Sequence, residues 1–395
     1  MKLDSASPQQ NNQTIKVVFV ITSLTTGGAE MMLYKFLSRI DRQKFSPTVI
    51  SMLAGGVFVE RIQALDITVY DLGMQQGVPS LSALRKLTIL LNKIQPDVIQ
   101  GWMYHANLIG YFGNILSKRK VPVIWSIHHS IDSLRAEKLS LAAVIKLTAL
   151  ISSQIETVVV SANKGLKQHI NIGYNSRNAI AISDNFDLSK YKPADEPKFN
   201  LRQSLNLPED AIIIGSVARY HQMKDHANLI DAAAKIVRDY PNLHFVLVGP
   251  DVDTQNVTLS EQIERLSVGD RIHLLGERLD VPLLMTSFDI FTTSSAYGES
   301  FPNVLGEAMS CQVPCVATDI GDSQAIVANT GIVVPPKDSQ ALATAWRKLV
   351  DLSREERRNL GLKARKHIQE NFNLDGSNSF VRKYESIYQT AVTSR

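Results

Sequence analysis

The sequence predicts an α/β protein made of two Rossmann-like, doubly wound domains in tandem, with a cleft between them. Short apolar runs of strand length alternate with helical stretches along the chain. Such alternation is typical of parallel sheets that are covered by helices on both faces. One polar segment with two prolines, residues 189–200, divides the series and is interpreted as a linker, and 395 residues is a length typical of two domains.

The first domain is assigned to residues 15–188. It begins with the apolar run Lys16–Ile21, which leads into a Gly-Gly loop and a helix that ends near Ile40. Helices are also predicted at Leu81–Ile94 and Leu108–Leu116. The remaining strands are predicted at the apolar runs Thr48–Met52, Thr68–Leu72, Asp97–Gly101, Val123–Ile127, Thr157–Ser161 and Ala179–Ile182.

The second domain is assigned to residues 201–372. Its strands are predicted at Ile212–Ala218, His244–Val248, Ile272–Leu275, Ile290–Thr293, Pro314–Thr318 and Gly331–Val334. Its helices are predicted at Asp225–Asp239, Leu259–Arg265, Ser339–Leu352 and Arg354–Phe372. Residues 373–395 are expected to include a terminal helix, Asn378–Val392, that packs back on the first domain. The polar residues 1–14 are expected to form a disordered tail and not a signal peptide.

The composition excludes several classes of function. A net charge of +4 without a long run of one sign argues against a nucleic-acid-binding protein. The two cysteines, Cys311 and Cys315, lack the companions of a zinc site and are expected to be reduced, which fits a cytoplasmic protein. No apolar run has the length of a transmembrane helix, and the nearest to it, Leu139–Ile151, is interpreted as an amphipathic helix.

The stretch Tyr297–Met309 combines two carboxylates with a predicted helix start. Glu299 lies in a loop, Pro302 suits the first turn of a helix that begins near Asn303, and Glu307 follows about one turn later. A helix start attracts phosphate, whereas a carboxylate accepts hydrogen bonds from hydroxyls such as those of a sugar or ribose. The alternative is a solvated loop followed by an acidic first turn.

Other candidate residues also follow predicted strands, and in open parallel sheets ligands bind beyond the carboxyl ends of the strands. These residues are Gly27, Gly28, His128, His129, Arg219 and Lys224. An arginine and a lysine five residues apart suit a diphosphate, because one offers a planar fork of donors and the other a point charge. The alternatives are a solvated basic loop, a plain turn at the glycines and structural histidines.

Four motifs occur together in the order and approximate spacing of a known family. They are GGAE at Gly27–Glu30, ARYHQMKD at Ala218–Asp225, LVGPD at Leu247–Asp251 and the stretch with two glutamates. From about Ile15 to the terminal helix, the chain resembles a retaining glycosyltransferase of family four, which has the two-domain GT-B fold. Within this family it looks most like bacterial enzymes that assemble exopolysaccharide or lipopolysaccharide.

The resemblance implies a role for each candidate residue. Arg219 and Lys224 bind the diphosphate of a nucleotide-sugar, Glu299 binds hydroxyls of the donor sugar, and Glu307 binds the ribose. His128 makes a hydrogen bond to the donor sugar that polarises it. The rest of the donor site is expected at Gly27, Gly28, Gly249, Ser300, Phe301, Pro302, Asn303 and Val304. Glu30 is interpreted as an acid at a helix start. The residues expected to face the acceptor are Tyr104, His105 and His129.

Two positions depart from the family pattern, and a third stretch wrongly suggests a metal site. Asp184-Asn185 replaces the usual Asn-Gly near the linker, and Asp225, a common N-cap residue, replaces a glycine. Asp251-Val252-Asp253 spells the D-x-D motif that binds metal in the other large glycosyltransferase fold. Because two cations and a helix start already neutralise the diphosphate, we expect no metal and no other cofactor.

The expected reaction moves a hexose from a nucleotide-sugar, UDP-glucose or a close relative, to a glycan acceptor with retention of anomeric configuration. Same-face attack is favoured over double displacement through a carboxylate. Alternative functions on this fold are a nucleotide-sugar epimerase or hydrolase and a binding protein without turnover. An oxidoreductase is disfavoured, since the first loop lacks the full G-x-G-x-x-G spacing.

The acceptor is expected to be an oligosaccharide or a lipid-linked glycan. The stretch Leu134–Ile151, with Arg135, Lys138 and Lys146, suits peripheral contact with the cytoplasmic face of an anionic inner membrane. The alternative is a helix that packs its apolar side on the first domain. The acceptor linkage, the donor base and sugar, and the oligomeric state stay open.

Overall fold

The computed structural model describes residues 14–25, 27–75, 80–131, 133–193 and 200–394. Two parallel sheets confirm the predicted α/β fold class. Nearly all of the predicted tail, and residues 194–199 of the predicted linker, lie outside the described residues.

Seven parallel strands form the first sheet: β1 (Ile15–Ile21), β2 (Phe45–Leu53), β3 (Val69–Met74), β4 (Val98–Trp102), β5 (Val123–Ile127), β6 (Thr157–Val160) and β7 (Ala179–Ala181). Their order is β3-β2-β1-β4-β5-β6-β7. Strands β4 and β5 are buried throughout, which explains why they form continuous apolar runs in the sequence.

Six parallel strands form the second sheet: β8 (Ile212–Val217), β9 (Leu243–Val248), β10 (Ile272–Leu274), β11 (Ile290–Thr293), β12 (Cys315–Thr318) and β13 (Ile332–Val334). Their order is β10-β9-β8-β11-β12-β13. In both sheets the order reverses beside the first strand of the domain. This switch point brings the carboxyl ends of β1 and β4, and of β8 and β11, next to each other.

Helices cover both faces of each sheet. In the first half they are α1 (Gly28–Leu37), α2 (Val57–Gln63), α3 (Leu81–Ile94), α4 (Tyr104–Leu116), α5 (Leu139–Ile151) and α6 (Asn163–Ile172). In the second half they are α7 (Leu201–Ser204), α8 (His226–Ala234), α9 (Val257–Arg265), α10 (Val281–Met285), α11 (Asn303–Ser310), α12 (Ser323–Val327), α13 (Ser339–Val350), α14 (Arg354–Asn371) and α15 (Phe380–Thr393). Among the described helices, none has both the length and the apolar content needed to cross a bilayer.

Helices α4 and α5 differ from the sequence prediction, and α8 ends at Ala234 and not at Asp239. Helix α4 begins at Tyr104 and not at Leu108, directly after Met103, whose φ of 74° turns the chain out of β4. Helix α5 is not amphipathic, because apolar side chains lie on its exposed side as well as on its buried side. Ile145 is buried against the sheet, whereas Leu139 and Leu150 face solvent.

Helix α15 packs against the first sheet. The ring of Tyr388 lies edge-on to Phe19 and Phe45, and its hydroxyl donates to Gln100 Oε1 at 3.1 Å. Burial of one such side chain stabilises a fold by about 1.5–3 kcal/mol. The last helix therefore closes the core of the half of the chain that contains the N-terminal strands.

Candidate active site

The loops that follow β8 and β11 carry a pair of oppositely charged side chains. The ammonium group of Lys224 contacts the carboxylate of Glu299, which also accepts a hydrogen bond from Ser295 Oγ at 2.8 Å. The two charged side chains are only 17% and 13% exposed. In a partly desolvated position this pairing is stronger than a surface salt bridge, so it fixes both groups in place.

The backbone ties these two loops together. Ala296 donates its N–H to the carbonyl of Met223 at 2.8 Å, and Ser294 Oγ donates to the carbonyl of Lys224 at 2.8 Å. The 3₁₀ turn Gln222–Lys224 thereby lies against the loop before α11. Arg219, in the same loop after β8, is exposed. The predicted diphosphate ligand Lys224 and the predicted sugar ligand Glu299 are therefore held together, and Arg219 lies in the same loop as Lys224.

Two glycines let the backbone approach these loops closely. A Cβ atom on Gly249 would overlap the carbonyl of Ala218, directly before Arg219. A Cβ atom on Gly321 would overlap the carbonyls of Glu299 and Ser300, and its φ of 56° is itself unfavourable for other residues. Gly249 was predicted for the donor site, whereas Gly321 was not, because a lone glycine in a loop gives no signal of what it contacts.

The start of α11 matches the prediction in position and differs in detail. Pro302 is the N-cap residue and precedes the first turn, and the first turn contains no acidic residue. Glu307 lies in the second turn, where it hydrogen-bonds the hydroxyl of Tyr191 from the linker region. Burial is the main cause that raises the pKa of Tyr191 above its usual range, and the negative charge of this carboxylate is the second cause. Tyr191 thus holds the side chain for which ribose binding is predicted.

The other residues predicted around this helix start are largely covered. Phe301 stacks on Phe186 with ring centroids 5.8 Å apart, Ser300 is buried, and Val304 is half-buried. Asn303 donates from Nδ2 to Asp184 Oδ2 at 3.4 Å. In this geometry Phe301 and Val304 support the loop by packing, and the backbone of the helix start is what can meet a phosphate.

The glycine loop after β1 lies under an acidic side chain. Gly27 is the N-cap of α1, and a Cβ atom there would overlap the carboxylate of Glu30. Ser23 Oγ donates to Glu30 Oε1 at 2.9 Å. Gly28 has open space beside it: among the described residues, no atom lies within 4 Å of an added Cβ. Glu30 is therefore a first-turn acid, as interpreted from the sequence, and it also anchors the loop.

His128 lies at the end of β5 in an aromatic and acidic surrounding. Its ring stacks on Trp102 at 4.8 Å, and its Nε2 atom lies 3.0 Å from Ser126 Oγ. Its Nδ1 atom is buried, makes no hydrogen bond to a described residue, and lies 3.7 Å from Asp184 Oδ1. Burial lowers the pKa of His128 to about 4 and raises the pKa of Asp184 to about 7. The imidazole is therefore neutral at physiological pH, and its predicted contact with the donor sugar stays a prediction.

The three residues expected to face the acceptor separate into two groups. Contrary to expectation, Tyr104 is buried, with its hydroxyl 2.7 Å from His169 Nε2 inside the first half of the molecule. Its ring packs into the core from the start of α4. The sequence pattern does not tell whether a side chain at this position points into the core or toward the acceptor. His105 is exposed on the same helix, and His129 lies 2.9 Å from Glu137 Oε1 and is partly exposed.

Asp322, which the sequence analysis missed, joins the two halves of the chain beside the loop that carries Glu299 and Ser300, here called the donor loop. Its Oδ2 and Oδ1 atoms accept the backbone N–H groups of Asn163 and Lys164, at 2.8 and 3.0 Å. Its own N–H donates to the carbonyl of Ser300 at 3.0 Å, and Ser300 Oγ lies 2.9 Å from Ser161 Oγ. The N-cap residue of α6 is an alanine, so the capping carboxylate comes from the other half of the chain.

The D-x-D sequence forms an ordinary turn. Asp251 adopts a φ of 60°, the valine between the acids is buried, and Asp253 Oδ1 accepts the N–H of Gln255 at 2.9 Å. Over the described part of the chain, no group of three or more His, Cys, Asp and Glu side chains is arranged to hold a metal ion. Both cysteines are free and buried.

Family comparison divides the chain in the same way as the two sheets. The family "Glycosyltransferase Family 4" matches residues 26–179, and the family "Glycosyl transferases group 1" matches residues 197–367. N-acetyl-alpha-D-glucosaminyl L-malate synthase of Bacillus anthracis is 24% identical over 76% of this chain and 86% of its own length. UDP-Gal:alpha-D-GlcNAc-diphosphoundecaprenol alpha-1,3-galactosyltransferase of Escherichia coli is 23% identical over 69% of this chain and 71% of its own length.

Solved structures show the same two-domain arrangement. The crystal structure of Anabaena HepE in complex with UDP and glucose superimposes with a TM-score of 0.78, at 23% identity, over 96% of this chain and 99% of that one. A glycosyltransferase from Rickettsia africae superimposes with a TM-score of 0.80, at 20% identity, over 97% of this chain. The fold is GT-B.

Proposed function

Because the chain belongs with the glycosyltransferases of family four, in the GT-B fold, we propose that it moves a hexose from a UDP-sugar to a glycan acceptor, with retention of configuration and without a metal ion. The observation that carries the proposal is the Lys224–Glu299 pair. Arg219 lies in the same loop as Lys224, and the loop of Glu299 leads into the start of α11. Two cations, one carboxylate and a helix start are the groups that a sugar diphosphate requires.

The donor proposed is UDP-glucose or a related UDP-hexose. The crystal structure of HepE contains UDP and glucose, and the name of the E. coli relative includes UDP-Gal, which support a uridine donor here. Arg219 and Lys224 would bind the diphosphate, Glu299 the sugar hydroxyls, and Glu307 the ribose. As the sugar leaves, negative charge grows on the outer phosphate, and fixed cations stabilise that charge without having to reorganise.

The acceptor proposed is a lipid-linked glycan in the biosynthesis of a bacterial polysaccharide. The E. coli relative is named for a diphosphoundecaprenol acceptor, and two other relatives are named for polysaccharide biosynthesis, a capsular one in Staphylococcus aureus and the Vi polysaccharide one in Salmonella typhi. His105 and the partly exposed His129 are the acceptor-side residues that the geometry leaves accessible. Such an enzyme would work in the cytoplasm, at the cytoplasmic face of the membrane.

For retention we propose attack on the same face from which the diphosphate departs. The bond between the anomeric carbon and the phosphate oxygen breaks, the acceptor oxygen bonds to that carbon, and the acceptor proton passes to the leaving phosphate. Support comes from five carboxylates that follow strands in the described part of the chain and that already have a hydrogen-bond partner. These are Glu30 with Ser23, Glu137 with His129, Asp184 with Asn303, Glu299 with Lys224 and Ser295, and Asp322 with the start of α6. A carboxylate held in this way is a poor nucleophile for a double displacement.

The test is a transfer assay with a panel of UDP-hexoses, in the presence and absence of a lipid-linked disaccharide acceptor and of EDTA. We expect acceptor-dependent release of UDP that EDTA does not abolish, and proton NMR of the product should show the donor's anomeric configuration. Lys224→Ala should lower kcat by about 10²–10³-fold, as is usual when a group that stabilises transition-state charge is removed. Lys235→Ala, at an exposed lysine after α8, is the matched control.

Four outcomes would contradict the proposal. Full activity in Lys224→Ala would remove the diphosphate role, and a covalent sugar adduct on Glu299 in mass spectrometry would replace same-face attack by double displacement. Release of free sugar and UDP that does not depend on acceptor would favour the alternative, an epimerase or hydrolase on the same fold. Loss of activity in EDTA with recovery in manganese would refute metal independence.

A further inference from the structure

A row of five polar side chains crosses the interior between the first sheet and the start of α11. Ser126 Oγ of β5 lies 2.5 Å from the hydroxyl of Tyr384 in α15 and 3.0 Å from His128 Nε2. Asp184 Oδ1 lies 3.7 Å from His128 Nδ1, and Asp184 Oδ2 accepts a hydrogen bond from Asn303 Nδ2 at 3.4 Å. The row therefore links the last helix of the chain to the helix start of the proposed donor site.

The carboxyl group of Asp184 is buried without a close cation. This residue follows β7 by three positions and is 3% exposed. The titratable and charged groups that act on it come from three elements, and they are His128 at the end of β5, Lys35 in the last turn of α1 and Tyr384 of α15. Burial raises the pKa of Asp184, and the charge of Lys35 and the hydrogen bond from Asn303 offset this only in part. Such a site favours the protonated acid.

Two buried polar atoms on either side of Asp184 lack a partner. His128 Nδ1 and Asn303 Oδ1 make no hydrogen bond to a described residue. A carboxylate only accepts hydrogen bonds, whereas a protonated carboxyl group also donates one. The proton of Asp184 can therefore serve His128 Nδ1 while its other oxygen keeps the bond from Asn303. The separation of 3.7 Å exceeds a hydrogen bond by less than 1 Å, which a small rotation of the carboxyl group removes.

We propose that Asp184 is a positioning residue for sugar transfer, whose proton fixes the tautomer of His128 and keeps negative charge away from the start of α11. The proposal rests on the proposed function, because the start of α11 matters here as a site for the donor diphosphate. With Asp184 protonated, its O–H donates to His128 Nδ1, so the ring carries its own proton on Nε2. That N–H donates to Ser126 Oγ, and the Ser126 hydroxyl donates to Tyr384.

Loss of this proton reverses the row. The proton of Asp184 goes to water, and the carboxylate can then only accept, so the ring proton of His128 moves from Nε2 to Nδ1. The hydroxyls of Tyr384 and Ser126 turn to donate toward the freed Nε2. The same ionisation places a negative charge beside Asn303, where the helix start would bind an anionic diphosphate. Transfer should therefore fall as pH rises through the ionisation of Asp184.

The first test is the pH dependence of kcat/KM for UDP-hexose between pH 6 and pH 8. If only the protonated form is active, the parent should lose about tenfold, because an ionisation centred near pH 7 leaves about a tenth of the chains protonated at pH 8. Asp184→Asn cannot ionise and retains a donor and an acceptor, so its rate should change less than about twofold. Asp187→Asn is the matched control: its carboxylate, 22% exposed and 3.3 Å from Arg39, lies outside the row, and the variant should show the parent's fall.

A spectroscopic test requires neither activity nor a substitution of Asp184. In the full chain labelled with nitrogen-15 in histidine, long-range proton–nitrogen spectra report which ring nitrogen carries the proton, and a spectrum of His128→Gln identifies the signals of His128. We expect the Nε2–H tautomer at pH 6 and the Nδ1–H tautomer at pH 8. In Asp184→Asn the Nε2–H tautomer should persist at both pH values.

Two results would overturn the proposal: a single tautomer of His128 from pH 6 to pH 8 in the parent, or a pH profile of Asp184→Asn that matches the parent's. The two proposals can fail separately. If the tautomer switches and no sugar is transferred, the proposed function fails while the control of His128 by Asp184 stands. If sugar is transferred with a flat pH profile and a fixed tautomer, the positioning role fails alone.

Discussion

Replacement of Asp322 tests how the two halves of the molecule are held together. This carboxylate caps α6 across the domain boundary, and the adjoining backbone supports the loop that carries Glu299. We expect Asp322→Ala to open the cleft. Two effects follow from one change: α6 loses the cap that its own N-cap alanine cannot supply, and the donor loop loses its connection to the opposite half.

The size of the effect follows from the geometry. Asp322 is 5% exposed, and it accepts two N–H groups at 2.8 and 3.0 Å. A hydrogen bond to a charged group contributes about 1.5–3 kcal/mol, and removal of a capping side chain costs about 0.5–2 kcal/mol. Because the two figures describe the same bonds, we expect a loss of about 2–3 kcal/mol in the free energy of the closed state, or roughly 30- to 150-fold in its population.

Small-angle scattering and the affinity for UDP-hexose measure this population. Asp322→Ala should increase the radius of gyration and weaken donor binding by more than tenfold, with Asp322→Asn between it and the parent. The matched control is Asp319→Ala, whose carboxylate is 54% exposed and lies 3.7 Å from Lys164 Nζ, a surface pair worth at most about 1 kcal/mol. Equal radius and affinity in Asp322→Ala and Asp319→Ala would refute the reasoning.

Three further predictions concern buried positions. Burial raises the pKa of Asp184 from 3.8 to about 7, so the folded chain keeps a proton that the unfolded chain releases. As pH rises from 4 to 7, the free energy of unfolding in urea should therefore fall in the parent relative to Asp184→Asn, which has no such proton. Gly249→Ala should displace the loop beside it and lower kcat/KM for the donor more than tenfold, whereas Gly269→Ala, whose Cβ atom would make only an ordinary contact, should not. Tyr104→Phe should cost about 1–3 kcal/mol of unfolding free energy, because His169 loses a buried partner, and leave the acceptor KM unchanged; a raised KM would restore an acceptor role.

The sequence was sufficient for the fold because the strands are short, buried and parallel. Val123–Ile127 and Ile290–Thr293 coincide with the predicted runs, since a strand that is buried on both faces is apolar from end to end. The boundary of α4 was missed because Met103, in a left-handed conformation, starts the helix without a capping side chain. The exposed apolar side of α5 was missed because periodicity alone does not tell which side faces the core.

The site was predictable where neighbours in sequence act together, and not where distant segments meet. The sequence predicts diphosphate binding for Lys224 and sugar binding for Glu299, but not that the two side chains touch. Their contact depends on hydrogen bonds between two loops about 70 residues apart. The cap that Asp322 provides for α6 is invisible in the sequence for the same reason. In the sequence, Asp184 stands out only as a departure from the family pattern. The structure buries it beside His128, and this burial raises the pKa of its carboxyl group.

The ion pair between Lys224 and Glu299 implies an exchange of partners when the donor binds. The diphosphate competes with Glu299 for the ammonium group, and the freed carboxylate can then accept hydrogen bonds from sugar hydroxyls. UDP without a sugar would bind Lys224 and leave Glu299 with Ser295 alone, in a position only 13% exposed. An unpaired charge in such a position is unfavourable, so the ion pair favours the complete donor over the bare nucleotide.

Glu299→Gln should therefore narrow the difference in affinity between UDP-hexose and UDP. With a neutral amide, binding of UDP no longer strands a charge, while the hexose loses hydrogen bonds to a carboxylate, so we expect UDP to bind several-fold tighter than to the parent and UDP-hexose to bind more weakly. Titration calorimetry with both ligands measures the two affinities in one buffer. If both ligands weaken in parallel, Glu299 contributes to the site by structure alone, and the exchange of partners does not occur.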